Sequence, residues 1–185
     1  MLQLLDYAKS FITSAVPENG TVADFTMGNG HDTLFLCRLV PEGKVYAFDI
    51  QQQALNNTKK LLDESGVTNA ILIKDSHANA AEYIDGPIDA GMFNLGWLPG
   101  GDKSIHTLRE STLKAVDSAV AMLREGGIIT VSVYPGHSEG TTEGDLLTEK
   151  LSTLDKLHYC VSYLRLINSP DAPYVIAIEK YKKKK

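Results

Sequence analysis

Thr21-Val-Ala-Asp-Phe-Thr-Met-Gly-Asn-Gly-His-Asp-Thr33 is the stretch that decides the fold. Residues 21–25 read as a short strand ending beside Asp24. Residues 26–31 form a glycine turn, because Gly28 and Gly30 let the chain bend tightly and bring its backbone close to a ligand. Residues 32–40 follow as a helix, and Pro41 and Gly43 close it. A strand, a glycine turn and a helix in that order open a βαβ unit with parallel strands.

The same alternation continues on both sides. Apolar residues Leu4, Leu5, Ala8, Phe11, Ile12 and Ala15 recur at helical spacing, and Pro17 and Gly20 end that helix. Strands are expected over 44–50, 70–73, 87–93 and 128–133. Helices are expected over 51–65, 78–84 and 104–124. The last of these places Ile105, Leu108, Val116, Ala119, Val120 and Leu123 on its buried side, and Gly126-Gly127 terminates it. Thr142 and Asp145 have the spacing of a cap and third helical residue, for a helix reaching about 154. Two closing strands, 157–167 and 173–181, flank a Pro-containing connection. Five strands alternating with helices and then a hairpin-like pair specify an α/β fold with a mostly parallel sheet.

Composition sets the class. The chain has 185 residues and is 43% hydrophobic and 22% charged, which fits one globular domain spanning 1–185. Its net charge is −5, and five of its 18 basic residues are Lys180 and Lys182 to Lys185. Without those five, 13 basic residues face 23 acidic ones, so a broad electrostatic coat for nucleic acid is excluded. No apolar run approaches a membrane span and no secretion signal opens the chain. Cys37 and Cys160 lie in apolar stretches and read as buried free thiols, consistent with a reducing cytoplasm. No cluster has metal-ligand spacing, so no metal is expected.

In a parallel sheet, ligands bind beyond the carboxyl ends of the strands. Asp49 ends the second strand, 21 residues after Gly28, where a carboxylate grips ribose hydroxyls. A dinucleotide site wants Gly or Ala at position 33, and this chain has Thr33. Asp24 would repel a pyrophosphate and suit a cationic ligand. S-adenosylmethionine fits both facts, with its ammonium, sulfonium and ribose and no phosphate. An NAD-dependent oxidoreductase and a non-enzymatic interaction domain are the competing classes. Asp75-Ser76-His77 ends the third strand, where a carboxylate suits an adenine amine.

Two further loops carry candidate chemistry. Asn94-Leu-Gly-Trp-Leu-Pro-Gly-Gly-Asp102 follows the fourth strand and holds the only tryptophan. An amide followed three residues later by an aromatic resembles the Asn-Pro-Pro-Tyr loop of amino-group methyltransferases, with Leu-Gly for Pro-Pro and Trp97 for Tyr. In those enzymes the amide holds the target nitrogen and the aromatic stacks on the base. Tyr134-Pro-Gly-His137 follows the fifth strand, where a histidine can serve as base or hydrogen-bond partner near the reacting centre.

Together, residues 24–33, 94–103 and 134–137 resemble the small class I methyltransferases long labelled rRNA methylases, with MnmM-type tRNA methyltransferases among them. The resemblance covers essentially the whole chain and implies a Rossmann-like three-layer sandwich, with a seven-stranded sheet and an antiparallel C-terminal strand. It implies S-adenosylmethionine as methyl donor and 5-aminomethyluridine at the tRNA wobble position as acceptor. Ribosomal RNA or a small molecule is the alternative acceptor. Asp24, Thr26, Gly28, Asn29, Gly30, Asp49, Ile50, Asp75, Ser76, His77 and Asn94 are then expected on the cofactor. Leu95, Gly96, Trp97, Tyr134 and Gly136 are expected on the substrate. Asn94 positions the nucleophile, with Asp32 or His137 as proton acceptor. The implied partner is a tRNA anticodon loop, met locally through residues such as Lys103, Arg109 and Arg165. A homodimer through paired helices or an exposed edge strand is compatible with the sequence.

Overall fold

The computed structural model describes residues 4–101, 107–135, 138–169 and 171–182, apart from the side chain of Ser138. Helix α1 spans Leu4–Ala15 and leads into β1, Thr21–Asp24. Then follow α2 (His31–Leu39), β2 (Lys44–Phe48), α3 (Gln52–Ser65) and β3 (Ala70–Ile73). A short 3-10 turn at His77–Glu82 connects to β4, Ile88–Asn94. Helix α4 (Arg109–Met122), β5 (Leu123–Val133), α5 (Ser138–Ser152), β6 (Tyr159–Leu164) and β7 (Tyr174–Lys180) complete the chain.

The seven strands form one sheet in the order β3-β2-β1-β4-β5-β7-β6. The pairs β1–β2, β1–β4, β2–β3 and β4–β5 are parallel, whereas β7 runs antiparallel to both β5 and β6. The order reverses between β1 and β4, which opens a crevice at their carboxyl ends. Asp24 and Asn94 are the last residues of those two strands.

Alternation along the strands divides the core into two layers. Val22, Val45, Met92 and Ile128 join Ile12, Leu36, Cys37 and Leu62 on the face covered by α1, α2 and α3. Ala23, Tyr46, Phe93 and Ile129 join Val116, Ala119 and Leu147 on the face covered by α4 and α5. A three-layer sandwich follows directly from this two-sided burial.

Several expected boundaries move. Helix α4 ends at Met122, and Gly126-Gly127 lies within β5. Leu123 pairs with Ile88, and the partner then jumps to Ile128 opposite Ala90. The two glycines therefore form a bulge. Gly126 takes φ 79°, and a Cβ on Gly127 would sit 2.8 Å from the Asp89 carbonyl. Leu108 is 56% exposed, ahead of the helix whose buried face it was expected to join, and Ile105 lies outside the described residues. Helix α5 begins at Ser138, so Thr142 and Asp145 are internal to it. Tertiary bonds fix this segment: Glu143 accepts hydrogen bonds from Thr107 at 3.1 Å and Thr112 at 2.6 Å. Cys37 is buried but Cys160 is half-buried on the edge strand; both are free thiols. Burial pushes the Cys37 thiol up to about 11.

Phe25, the first residue after β1, stacks on Phe93 at 4.3 Å between ring centres and lies 6.0 Å from Phe48. Gly91 makes room for it, since a Cβ there would meet the Phe25 ring at 2.8 Å. The ring is fully buried and has nowhere to retreat. Gly91→Val is expected to cost about 1–3 kcal/mol through overpacking. A urea midpoint equal to that of the unmutated chain would contradict this packing.

Candidate active site

The glycine turn is built from three restraints. Asp24 is buried and accepts hydrogen bonds from the Thr26 N–H at 3.1 Å and the Thr33 hydroxyl at 2.7 Å. Thr33 is thereby explained: its hydroxyl ties the first turn of α2 to the end of β1. Gly30 takes φ 83°, and a Cβ on it would fall 2.9 Å from the Thr58 Cα, so any larger residue collides with α3. The Thr58 hydroxyl donates to the Gly28 carbonyl at 3.1 Å. Burial raises the Asp24 carboxyl to about 7, and the negative charge of Asp32 adds to the rise.

Asp49 completes the turn from β2. One oxygen accepts the Gly28 N–H at 3.1 Å and the other the Gln51 N–H at 2.8 Å. Burial raises its carboxyl, opposed by those N–H groups. Ile50 beside it is 54% exposed, an apolar platform at the strand end. From β3, Asp75 accepts from the Tyr83 hydroxyl at 2.8 Å, which holds its carboxyl below the usual range. Ser76 caps the 3-10 turn by accepting from the Ala78 N–H. His77 is buried, with Nδ1 3.0 Å from the Phe25 carbonyl, and its Nε2 has no hydrogen-bond partner among the described residues. Burial lowers its basicity.

The loop after β4 meets this turn. The Asn94 backbone N–H donates to the Thr26 hydroxyl at 2.7 Å. The Asn94 side-chain amide donates to Asp32 Oδ2, and the other oxygen of Asp32 pairs with Lys9 Nζ at 2.8 Å. Asn94 Oδ1 is buried and has no partner among the described residues. Asn29 ties the two loops together, donating to the Pro99 carbonyl at 3.1 Å and accepting from Asn57. Tyr134 lies close enough to Asp32 to feel its charge, which adds to the rise that burial gives the phenol.

The expected residues therefore converge on one end of the sheet, with qualifications. The Leu95 side chain is 3% exposed and belongs to the core, so only its backbone can face a substrate. Gly96 exchanges both backbone hydrogen bonds with Thr107, whose hydroxyl accepts at 3.0 Å and whose N–H donates at 2.9 Å. Trp97, in the loop after β4, is 40% exposed. Arg109 pairs with Glu139 at 3.7 Å. Gly136, His137, Lys103 and the last three lysines lie outside the described residues. Lys9, Thr107 and Glu143 had no signal in the sequence, because their partners lie 11 to 36 positions away on other elements.

The donor set suits a cationic nucleoside. Two carboxylates border the turn, an apolar platform adjoins them, and the Lys9 ammonium is already paired with Asp32. This surplus of negative charge disfavours a phosphate. No group of His, Cys, Asp and Glu among the described residues has the arrangement of a metal site, and no helix among them is long and apolar enough to cross a membrane.

Comparison with known proteins agrees with this geometry. The family profile described as "Putative rRNA methylase" matches residues 45–179. The chloroplastic tRNA (mnm(5)s(2)U34)-methyltransferase of Arabidopsis thaliana is 34% identical over 177 residues, 89% of this chain and 65% of that protein. This chain thus spans just under two thirds of that relative's length. A crystal structure of a "putative rRNA-methylase" from Clostridium thermocellum has 42% identity and a TM-score of 0.94, covering 97% of this chain and 98% of that one. A "putative methyltransferase" from Streptococcus mutans, in complex with SAH, has 35% identity and a TM-score of 0.90 over 97% and 99%. Such kinship implies S-adenosylmethionine as the cofactor. The chain belongs to the rRNA methylase family of class I methyltransferases.

Proposed function

We propose that this protein transfers a methyl group from S-adenosylmethionine to the amino nitrogen of 5-aminomethyluridine at the tRNA wobble position. The observation that carries the reading is the Asn94 amide. Its nitrogen is committed to Asp32, so its buried, unpartnered oxygen is an acceptor set for an amino N–H. The 34% identity to a tRNA wobble methyltransferase supports the same acceptor.

The residues fit the cofactor. Asp49 and Ile50 would hold the ribose and adenine, with Asp75 on the adenine amine. The Thr26–Gly30 turn would take the amino-acid end, with Asp24 supplying negative charge from beneath. When bound, S-adenosylmethionine supplies a methyl already activated on sulfonium. The chain's task is then alignment and management of one proton. An alkylamine is mostly protonated near neutrality and has no lone pair in that state. A dry site lowers its pKa and raises the reactive fraction. Asn94 Oδ1 would accept an N–H of the neutral amine and turn its lone pair toward the methyl. Asp32 has both oxygens engaged, which favours a holding role over that of proton acceptor. Trp97 would stack on the uracil, and an anticodon loop presents such bases already unstacked.

The acceptor is tested with hypomodified tRNA, ribosomal RNA and S-adenosylmethionine, followed by mass spectrometry of the nucleosides. A mass gain of one methylene on the wobble uridine is expected. A folded, cofactor-binding protein that gives no gain on tRNA contradicts the reading, and a gain on ribosomal RNA replaces it.

Asp24 gives a second test. Its carboxyl sits at about 7, and a cationic ligand favours the ionised form. Cofactor binding should release a proton, and affinity should rise by up to about 10-fold per pH unit on approaching neutrality from the acid side. Folding stability runs the other way: the raised Asp24 costs nothing below the ordinary carboxylate range, and stability declines as pH climbs through about 7. Calorimetry in buffers of different ionisation enthalpy reads the proton. Equal proton release by Asp24→Asn would contradict the assignment.

A further inference from the structure

Asp32 is the junction of three elements. It opens α2, pairs with Lys9 on α1, and accepts from Asn94 at the end of β4. Helix α1 otherwise contributes apolar packing through Ala8 and Ile12. Lys9 reaches from it to Asp32, only 30% exposed, with its ammonium 5.3 Å from the centre of the Phe35 ring. Two contacts thus fix an otherwise flexible side chain.

The chemistry of the Asn94 amide makes this pairing consequential. A carboxamide is nearly symmetric in shape, and only its surroundings decide which end faces inward. An ionised carboxylate accepts hydrogen bonds and cannot donate one, so it admits the NH2 end and turns Oδ1 the other way. A carboxylate free to rotate or swing away would release the amide, which could then turn over. The Asp32 carboxylate is only 14% exposed and lies near Asp24, whose carboxyl its charge raises. A partner ammonium at 2.8 Å offsets the cost of holding that charge in a poorly solvated place.

We infer that Lys9 is a positioning residue: its ammonium fixes the Asp32 carboxylate in place, and Asp32 in turn locks the Asn94 amide with Oδ1 toward the substrate amine. The inference rests on the methyltransferase reading above. It makes the N-terminal helix part of the active site. It also predicts that charge at position 9 matters, beyond the bulk of the side chain.

Lys9→Met keeps the aliphatic stem and removes the charge, while Lys9→Arg keeps the charge. For Lys9→Met, kcat on tRNA should fall roughly 10- to 100-fold, because the nucleophile is misplaced. Affinity for S-adenosylhomocysteine should be unchanged, and Lys9→Arg should recover most of the rate. The side-chain amide 15N–1H signals of Asn94, assigned through Asn94→Asp, report its orientation without any turnover. They should shift or broaden in Lys9→Met and stay in place in Lys9→Arg. Unmoved Asn94 signals, or an unchanged kcat, would overturn the inference. If the unmutated protein does not methylate tRNA yet the signals move as described, the acceptor reading fails and the positioning role stands.

Discussion

A carboxylate sealed beneath a glycine turn organises this molecule. Asp24 ends β1, receives the Thr26 N–H and the Thr33 hydroxyl, and thereby fixes the angle at which α2 leaves the sheet. Everything above it inherits that geometry. Gly28 and Gly30 place backbone against Asp49 and Thr58, and Thr26 receives the Asn94 N–H across the reversal in strand order. The burial that raises Asp24 to about 7 also makes it responsive to a cation. One group thus serves as a fold constraint and as an electrostatic element of the site.

The charge distribution narrows how an RNA can be met. The acidic body excludes a broad cationic footprint, and Arg109 is engaged with Glu139. Three carboxylates at 24, 49 and 75 stand around the proposed cofactor site, where negative charge is useful. Under the tRNA reading proposed above, recognition would depend on the shape and stacking of a single loop, with few phosphate contacts and a shallow salt dependence. Trp97 offers the aromatic face that such a mode needs.

The sheet was legible because alternation and turn chemistry are local signals. The strand, glycine turn and helix of 21–39 and the hairpin-like closing pair follow from neighbours in sequence. The bulge at Gly126-Gly127 was read as a helix end because both uses of glycine look alike until the partner strand is known. Asp24, Asp49 and Asn94 could be found from their places at strand ends. Lys9, Thr107 and Glu143 could not, because each acts through a tertiary contact that leaves no periodicity. Thr33 was legible only as a departure from a dinucleotide fingerprint; its hydroxyl bond to Asp24 gives the positive reason.

Within the site, orientation is set by ionised and neutral partners in series. Lys9, Asp32 and Asn94 form a chain from α1 to the end of β4, and its last atom is a buried acceptor. The position of S-adenosylhomocysteine in a crystal of this protein tests this arrangement most directly. Ribose hydroxyls on Asp49, adenine beside Ile50 and Asp75, and a sulfur directed toward Asn94 are the expected result. A ligand bound away from the carboxyl ends of β1, β2 and β4, or a sulfur turned from Asn94, would contradict it.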